Sequence, residues 1–213
     1  FYATKTITTG EGGMIVSNNP ALLERMARMR MHGIDRQVWD RYTSKKASWV
    51  YSVVEAGYKY NLPDILSAIG RVQLAKAKRF LEERTAIAKR YDQSFSSIPC
   101  LQLPPRGKGH AWHLYALRVH PSATGMNRDQ LVESLSAQGI GSSVHFIPLH
   151  TMPYWATRYT LKPSDFPNAL NMFERSISLP IWHGMTESQV TRVIGAVNAL
   201  ASKAASGTAA RHS

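Results

Sequence analysis

The stretch that decides the fold is Phe1-Tyr2-Ala3-Thr4-Lys5-Thr6-Ile7-Thr8-Thr9-Gly10-Glu11-Gly12-Gly13, which runs into the apolar residues Met14-Ile15-Val16. One lysine stands ahead of a glycine-rich turn, and we predict that this turn leads into a strand over Met14-Ile15-Val16. Lysine can form a Schiff base with an aldehyde cofactor, and glycine lets the backbone approach a ligand closely. On these residues alone Lys5 is only a candidate carbonyl-reactive amine, because a single lysine is usually a solvated surface charge.

The composition indicates a folded protein with a packed core. The chain has 213 residues, of which 44% are hydrophobic, which is enough for one large domain or two small ones. No stretch approaches the apolar length that a membrane span needs. The single cysteine, Cys100, cannot form an internal disulfide, and we predict an inert thiol in a reducing cytosol.

The net charge of +12, from 26 Lys and Arg against 14 Asp and Glu, suits a polyanionic partner. The basic residues are dispersed, however, and the densest cluster, between Lys76 and Arg90, fits the solvated face of a long helix. A basic nucleic-acid-binding protein is therefore a hypothesis that rests on net charge alone, since no binding motif accompanies it.

The pattern of the first half predicts two helices joined by a long loop. Asn19 and Pro20 are a good cap and first residue for a helix that Gly33 ends. Pro63 and Asp64 begin a long helix that reaches Phe95, with a break near Glu82-Glu83. The loop over residues 34–56 mixes aromatic side chains with arginines, which suits either a stacking surface for a base or sugar ring or an anchored surface loop.

The second half predicts a small α+β domain. Residues 99–109 form a proline- and glycine-rich connector, and after it the order is strand, helix, strand, loop, helix, helix. The predicted strands span residues 112–119 and 141–146, and the helices span residues 127–139, 166–177 and 186–201. We expect a disordered tail from residue 202.

Several kinds of site are excluded by their spacing. The glycines of the first stretch precede the predicted strand, so they are not a dinucleotide fingerprint, and no Walker lysine pattern is present. The eight histidines show no metal-ligand spacing, and we expect no metal site. What remains is Lys5, the aromatic and histidine loops, and Asn61, which stands ahead of a helix either as a phosphate ligand or as a plain cap.

These residues resemble a known family. The stretch from Phe1 to Met14 closely resembles the cofactor-lysine motif of the DegT/DnrJ/EryC1/StrS sugar aminotransferases, which are fold-type-I pyridoxal-phosphate enzymes. The resemblance runs to about residue 200 and is closest to the branch acting on UDP-4-keto-pentoses, including the aminoarabinose enzyme of lipid A modification. Its further motifs are Gly57-Tyr58-Lys59-Tyr60-Asn61-Leu62-Pro63-Asp64, His110-Ala111-Trp112-His113-Leu114-Tyr115, His145-Phe146 with Pro148-Leu149-His150, and Ser178-Leu179-Pro180.

The resemblance implies an α/β fold of the pyridoxal-phosphate transferase type I. Residues 1–98 would be the end of the large cofactor-binding domain with its connecting helix, and residues 99–201 the complete small C-terminal α+β domain. In the family most of the large domain precedes the lysine. The resemblance therefore implies a C-terminal portion that does not assemble a complete cofactor site by itself.

The resemblance also implies roles for individual residues. Lys5 would carry pyridoxal 5'-phosphate covalently and move a proton during transamination, whereas a dehydratase of the family has histidine at this position. Asn61 would reach the cofactor phosphate of the other subunit of a homodimer, with Tyr60 and Lys59 beside it. The nucleotide-sugar site would be lined by the loop of residues 36–51 and by His145, Phe146 and His150.

Two functions follow as hypotheses. The first is a cytoplasmic homodimeric enzyme that transfers an amino group, from glutamate, to a nucleotide-linked keto-sugar for cell-envelope polysaccharide or lipid A, without nucleic-acid or membrane partners. The second is a non-catalytic fragment or regulatory relative that keeps the fold without turnover.

Overall fold

A computed structural model of the chain describes residues 1–35, 51–120 and 126–209, with side chains described as far as Ser202. The predicted substrate loop of residues 36–51 lies outside the described residues except for Tyr51. The chain divides into two compact units, Phe1–Ala77 and Lys78–Ser213. The division falls inside a helix, because the C-terminal half of that helix packs into the core of the second unit. The sequence placed a boundary at the following connector, residues 99–109, and as a domain assignment that boundary stays a prediction.

The first unit contains helix α1, Pro20–Met29, which begins as predicted. The side chain of Asn19 accepts a hydrogen bond from the backbone N–H of Leu22, and Pro20 occupies the first turn. The predicted strand over residues 14–16 is wrong. A strand needs partners for its backbone N–H and C=O groups, and no described residue pairs with this run, whose Val16 side chain is 81% exposed.

The glycine turn before that run needs glycine at two positions. Gly10 and Gly12 have φ values of 83° and 142°, which disfavour any other residue. A Cβ on Gly12 would lie 2.8 Å from Thr9 Oγ1 and 3.0 Å from Leu62 Cδ1. The turn therefore packs against the segment that leads into the next helix, and this contact lies wholly within the first unit.

Helix α2 is a continuous helix of 32 residues, Asp64–Phe95. The predicted break near Glu82-Glu83 is wrong, because the residues there are good helix formers and Glu83 pairs with Arg79 one turn away. In the second unit the helix buries one stripe of side chains, which are Phe80, Arg84, Ile87, Ala88, Tyr91, Asp92 and Phe95.

The second unit is built on a three-stranded antiparallel sheet in the order β1-β2-β3. The strands are β1, Leu101–Gln102, β2, Tyr115–Val119, and β3, Ser176–Leu179. In the β2–β3 pair Leu117 lies beside Ile177, and Ala116 lies beside Ser178. Because side chains alternate along a strand, the first pair faces the core and the second pair faces the opposite side.

The core of the second unit lies between the sheet and the helices, so this part has the predicted α+β character. Helix α3, Arg128–Ala137, begins with the predicted capping box of Asn127 and Gln130. The other helices are α4, Pro153–Tyr159, α5, Pro167–Arg175, and α6, Glu187–Ala209, and the largest fully buried side chains are Tyr91, Tyr115, Phe95, Leu117, Leu135, Ile177 and Val197. Among the described residues no helix is both long and apolar enough to cross a membrane.

Three predictions for this unit need correction. The predicted strand over residues 141–146 is reduced to a single bridge between Ser143 and Ser178. The predicted helix over residues 166–177 ends at Arg175, because pairing with β2 makes the following residues a strand. The predicted disordered tail from residue 202 is wrong as far as Ala209, since α6 continues to that residue, and residues 210–213 lie outside the described residues.

The buried guanidinium of Arg84 ties α2 to the two segments that flank the sheet. Its Nη1 donates to the carbonyl oxygens of Trp112, His113 and Ile181 at 2.9, 3.2 and 3.0 Å. Burial lowers the pKa of this guanidinium from its ordinary value. The three carbonyl oxygens stabilise the buried positive charge. Removing the side chain would leave these oxygens without a hydrogen-bond donor.

We expect Arg84→Ala to lower the free energy of unfolding by about 3 kcal/mol, because three buried carbonyls lose their shared donor. Arg79→Ala is the matched control, since its 63% exposed side chain makes a surface ion pair worth about 0.5 kcal/mol. Urea unfolding followed by circular dichroism measures both. Equal losses in the two variants would show that the buried guanidinium contributes nothing special.

We expect Gly12→Ala to destabilise the turn by about 2 kcal/mol, because alanine disfavours this φ and its Cβ would collide with Thr9. Gly13→Ala is the control, since nothing lies within 4 Å of a Cβ at Gly13. Native-state hydrogen exchange at the Thr9 amide, which donates to Phe1 O at 3.0 Å, reports the turn directly. Unchanged protection in Gly12→Ala contradicts the expectation.

Candidate active site

Lys5 lies in a short loop, residues 2–10, which we call the lysine loop and which ends at the glycine turn. A parallel bridge joins Tyr2 to Gly10, and the backbone N–H of Lys5 donates to Tyr2 O at 3.0 Å. The lysine side chain is exposed, and its Nζ makes no hydrogen bond or ion pair with any described residue. The lysine loop thus presents an amine that forms no ion pair with a carboxylate among those residues.

Two threonines attach the lysine loop to the rest of the first unit. Thr9 is buried, and its hydroxyl donates to the carbonyl oxygen of Glu11 within the glycine turn. The backbone N–H of Thr8 donates to Gln73 Oε1 on helix α2 at 3.4 Å. A Cβ on Gly70, one turn earlier on that helix, would lie 2.9 Å from the Thr9 methyl group. The backbone around Lys5 is therefore held against α2, while the lysine side chain stays exposed.

Asn61 is half-buried and lies three residues before α2 begins. Its Oδ1 accepts a hydrogen bond from Lys59 Nζ, and no bond joins its side chain to an N–H group of α2. The plain helix cap, which the sequence left open, is therefore not its role here. The Nδ2 group has no hydrogen-bond partner among the described residues and is free to donate to a ligand.

Lys59 and Tyr60 lie on the same segment as Asn61. The rings of Tyr58 and Tyr60 stack with centroids 4.9 Å apart and planes inclined by 3°, and Tyr60 is 72% exposed. A bridge between Met31 and Lys59 joins this segment to the end of α1. The structure thus brings Lys59, Tyr60 and Asn61 together, next to Leu62, which the glycine turn contacts.

The segment that carries Lys59 crosses the chain after α1 at two glycines. A Cβ on Gly57 would lie 2.1 Å from the backbone nitrogen of Gly33, so both positions require glycine for this crossing. Glu55 pairs beside it with Arg25 and Arg28 at 3.0 and 3.6 Å. The hydrogen bond from Arg25, with the charge of Arg28, holds the pKa of the Glu55 carboxyl below its ordinary value.

In the second unit His145 and Phe146 are adjacent and their rings meet edge to face, with centroids 4.6 Å apart. His145 is half-buried, and its Nδ1 lies 2.9 Å from Ser178 Oγ on β3. Phe146 is 75% exposed. An exposed ring next to a histidine whose orientation is fixed by a strand is a surface suited to a polar ligand with an apolar face.

His150 lies on the short 3-10 turn Leu149–Thr151 and is buried, with 6% of its surface exposed. Its ring packs against Phe166, and its Nε2 has no hydrogen-bond partner among the described residues. The structure thus places His145 and His150 on one segment of the second unit. Lys5, Lys59, Tyr60 and Asn61 all belong to the first unit.

Gln73 in the first unit and Ser178 in the second unit each make a contact that bears on a candidate residue, and the sequence assigns neither of them a role. Gln73 anchors the lysine loop by accepting a hydrogen bond from the Thr8 backbone N–H, and Ser178 contacts the His145 ring. Ser178 stands in the Ser178-Leu179-Pro180 motif, which was a signal of family membership without a role. Neither contact has a local sequence pattern, because the partners are 65 and 33 residues apart.

Cys100 is buried, and burial raises the pKa of its thiol, so the predicted inert cysteine is confirmed. Within residues 1–35, 51–120 and 126–202, no group of three or more His, Cys, Asp or Glu side chains is arranged to hold a metal ion.

Known proteins similar to the chain include two curated relatives. The uncharacterized protein MJ1066 of Methanocaldococcus jannaschii is 45% identical over 205 residues, which are 95% of this chain and 53% of the relative. The spore coat polysaccharide biosynthesis protein SpsC of Bacillus subtilis is 40% identical over 201 residues, which are 92% of this chain and 51% of the relative. The chain spans about half the length of the curated relatives it matches.

A solved structure with the same fold is PseC of Helicobacter pylori, an aminotransferase involved in the biosynthesis of pseudoaminic acid. It is 28% identical with a TM-score of 0.80, and the match covers 95% of this chain and 52% of PseC. The expected α/β fold of pyridoxal-phosphate-dependent aminotransferases is thereby confirmed, and pyridoxal phosphate is the cofactor of these enzymes. The model of the DegT/DnrJ/EryC1/StrS aminotransferase family matches residues 1–198, and the chain belongs to that family.

Proposed function

We propose that the protein is a pyridoxal-phosphate-dependent aminotransferase that acts on a nucleotide-linked keto-sugar, with glutamate as amino donor. The observation that carries the proposal is Lys5, an exposed amine without a partner among the described residues, in the stretch that resembles the family's cofactor-lysine motif. The names of two similar proteins support a sugar product: SpsC belongs to spore coat polysaccharide biosynthesis and PseC to pseudoaminic acid biosynthesis. We assign the product to cell-envelope polysaccharide or lipid A.

The residues of the first unit fit the cofactor. A Schiff-base lysine needs a free amine on a defined backbone, and the lysine loop, closed by the Tyr2–Gly10 bridge, supplies such an amine. Bound pyridoxal phosphate supplies an electron sink that stabilises negative charge on the substrate carbon. Lys5 would hold the cofactor through Nζ; once the substrate amine has displaced Nζ from that bond, the freed Nζ would take a proton from the substrate carbon and deliver it to the cofactor carbon that had been bonded to the lysine.

Asn61 and Lys59 suit a phosphate group. The Nδ2 group of Asn61 donates, and Lys59 adds a positive charge beside it. The N-terminus of α2, three residues further on, also favours an anion. We propose that these residues, with Tyr60, bind the cofactor phosphate of the other subunit in a homodimer.

In the second unit, we propose that His145, Phe146 and His150 bind the sugar substrate. His145 offers a ring nitrogen and the exposed Phe146 ring an apolar face, while the buried Nε2 of His150 has no hydrogen-bond partner among the described residues. The net charge of +12 favours a substrate that carries a diphosphate. A buried free thiol is compatible with a reducing compartment, and we place the enzyme in the cytoplasm.

We expect Lys5→Ala to abolish the visible absorbance band that forms when pyridoxal phosphate is added to the protein expressed from its complete gene. The band arises from the covalent bond to the lysine, which alanine cannot form. Lys76→Ala is the control, because Lys76 is an exposed lysine of the same unit. A band that persists in Lys5→Ala, or that is absent from the unsubstituted protein, contradicts the role of Lys5.

We expect Asn61→Ala to raise the Kd for pyridoxal phosphate roughly tenfold, the effect of losing one hydrogen bond to a charged group. Asn18→Ala is the control, since it makes the same chemical change at an exposed position outside the segment. Equilibrium titration by cofactor fluorescence measures both constants. Equal affinities in the two variants would remove Asn61 from the phosphate site.

A further inference from the structure

Ser178 holds both the backbone and the side chain of the segment that carries His145. Its N–H donates to Ser143 O at 2.7 Å, and the N–H of Ser143 donates to Ser178 O at 3.1 Å. Its hydroxyl lies 2.9 Å from His145 Nδ1. Around this point Ser143 makes the only bridge to the sheet among residues 141–148. The attachment of His145 to the sheet therefore depends on this serine.

The burial of Ser178 decides which atom carries the shared proton. The residue is 5% exposed, and its hydroxyl has no other hydrogen-bond partner among the described residues. If Nδ1 carried the proton and donated it, the hydroxyl proton of Ser178 would be buried without an acceptor, which is costly. If the hydroxyl donates to Nδ1, both groups are satisfied and the proton of the neutral ring sits on Nε2.

We propose that Ser178 is a positioning residue that holds His145 in the Nε2–H tautomer, so that His145 acts as a hydrogen-bond donor toward substrate. The partner of Nε2 is then an acceptor oxygen, such as a sugar hydroxyl or a phosphate oxygen of a nucleotide sugar. This inference rests on the proposed function, in which His145 contacts the substrate. The edge-to-face contact with Phe146 gives the ring a second constraint.

The chain provides a matched control for Ser178. Ser176 lies two residues earlier on β3, so both side chains face the same side of the sheet. Ser176 is also buried, at 8% exposure, and its hydroxyl makes no hydrogen bond with a described residue. Removing either hydroxyl is the same chemical change, and only the change at Ser178 removes a contact with His145.

The tautomer is measured by long-range proton–nitrogen NMR correlation on the full chain labelled with 15N-histidine, at about pH 8.5, where an ordinary histidine is neutral. The His145 signal is assigned from its loss in His145→Gln. We expect a protonated Nε2 and an unprotonated Nδ1 in the unsubstituted chain and in Ser176→Ala. In Ser178→Ala we expect a mixture of tautomers. A protonated Nδ1 in the unsubstituted chain, or an unchanged spectrum in Ser178→Ala, overturns the proposal.

A kinetic arm tests the donor role with a UDP-4-keto-pentose as the probe. We expect Ser178→Ala to raise KM for this sugar about fivefold with little change in kcat, the effect of one weakened hydrogen bond in the bound state. Ser176→Ala should leave KM unchanged. An unchanged KM in Ser178→Ala together with an altered tautomer overturns the donor role. The absence of turnover in the unsubstituted enzyme contradicts the proposed function, while the NMR result still decides the role of Ser178.

Discussion

The antiparallel pairing of β2 with β3 is the constraint on which the second unit depends. It places Leu117 and Ile177 on one face, where they join a core with Tyr91 and Leu135. Because successive side chains alternate, the same pairing turns Ser178 to the opposite face. One register therefore determines both the apolar core and the position of the hydroxyl that contacts His145, and a slip by one residue would exchange the two faces.

The first unit is organised differently, since it buries few side chains. Among its described residues only Thr9 and Gly33 are buried, whereas Met14, Ile15 and Ile65 are between 68% and 77% exposed. Its conformation depends on backbone hydrogen bonds and on close approaches at glycine, such as that of Gly57 to Gly33. The lysine and the asparagine of the proposed cofactor site are thus positioned by backbone geometry more than by a hydrophobic core.

The features predicted correctly are those with local physical causes. The caps at Asn19 and Asn127 involve atoms three residues apart, so the residue types alone reveal them. Strands were predicted less well, because a strand depends on a partner that is distant in the sequence. Residues 14–16 have strand composition without a partner, while β3 continues a helical pattern and becomes a strand by pairing with β2.

The candidate site residues were likewise hard to predict, because their contacts do not depend on local sequence. Nothing local separates Lys5 from a surface lysine, and only its resemblance to a family motif identified it. The contact of Ser178 with His145 spans 33 residues and depends on the bridge at Ser143, so no spacing rule reveals it. The exclusion of a helix cap at Asn61 needed the position of Lys59 Nζ, which the sequence does not provide.

Reductive trapping is the most direct test of whether Lys5 carries the cofactor. The protein expressed from its complete gene is incubated with pyridoxal phosphate, reduced with borohydride to make the attachment permanent, digested, and analysed by mass spectrometry. We expect a phosphopyridoxyl group on the peptide that contains Lys5, at the Lys5 amine. A stoichiometric modification at another lysine, or none at all, would contradict it.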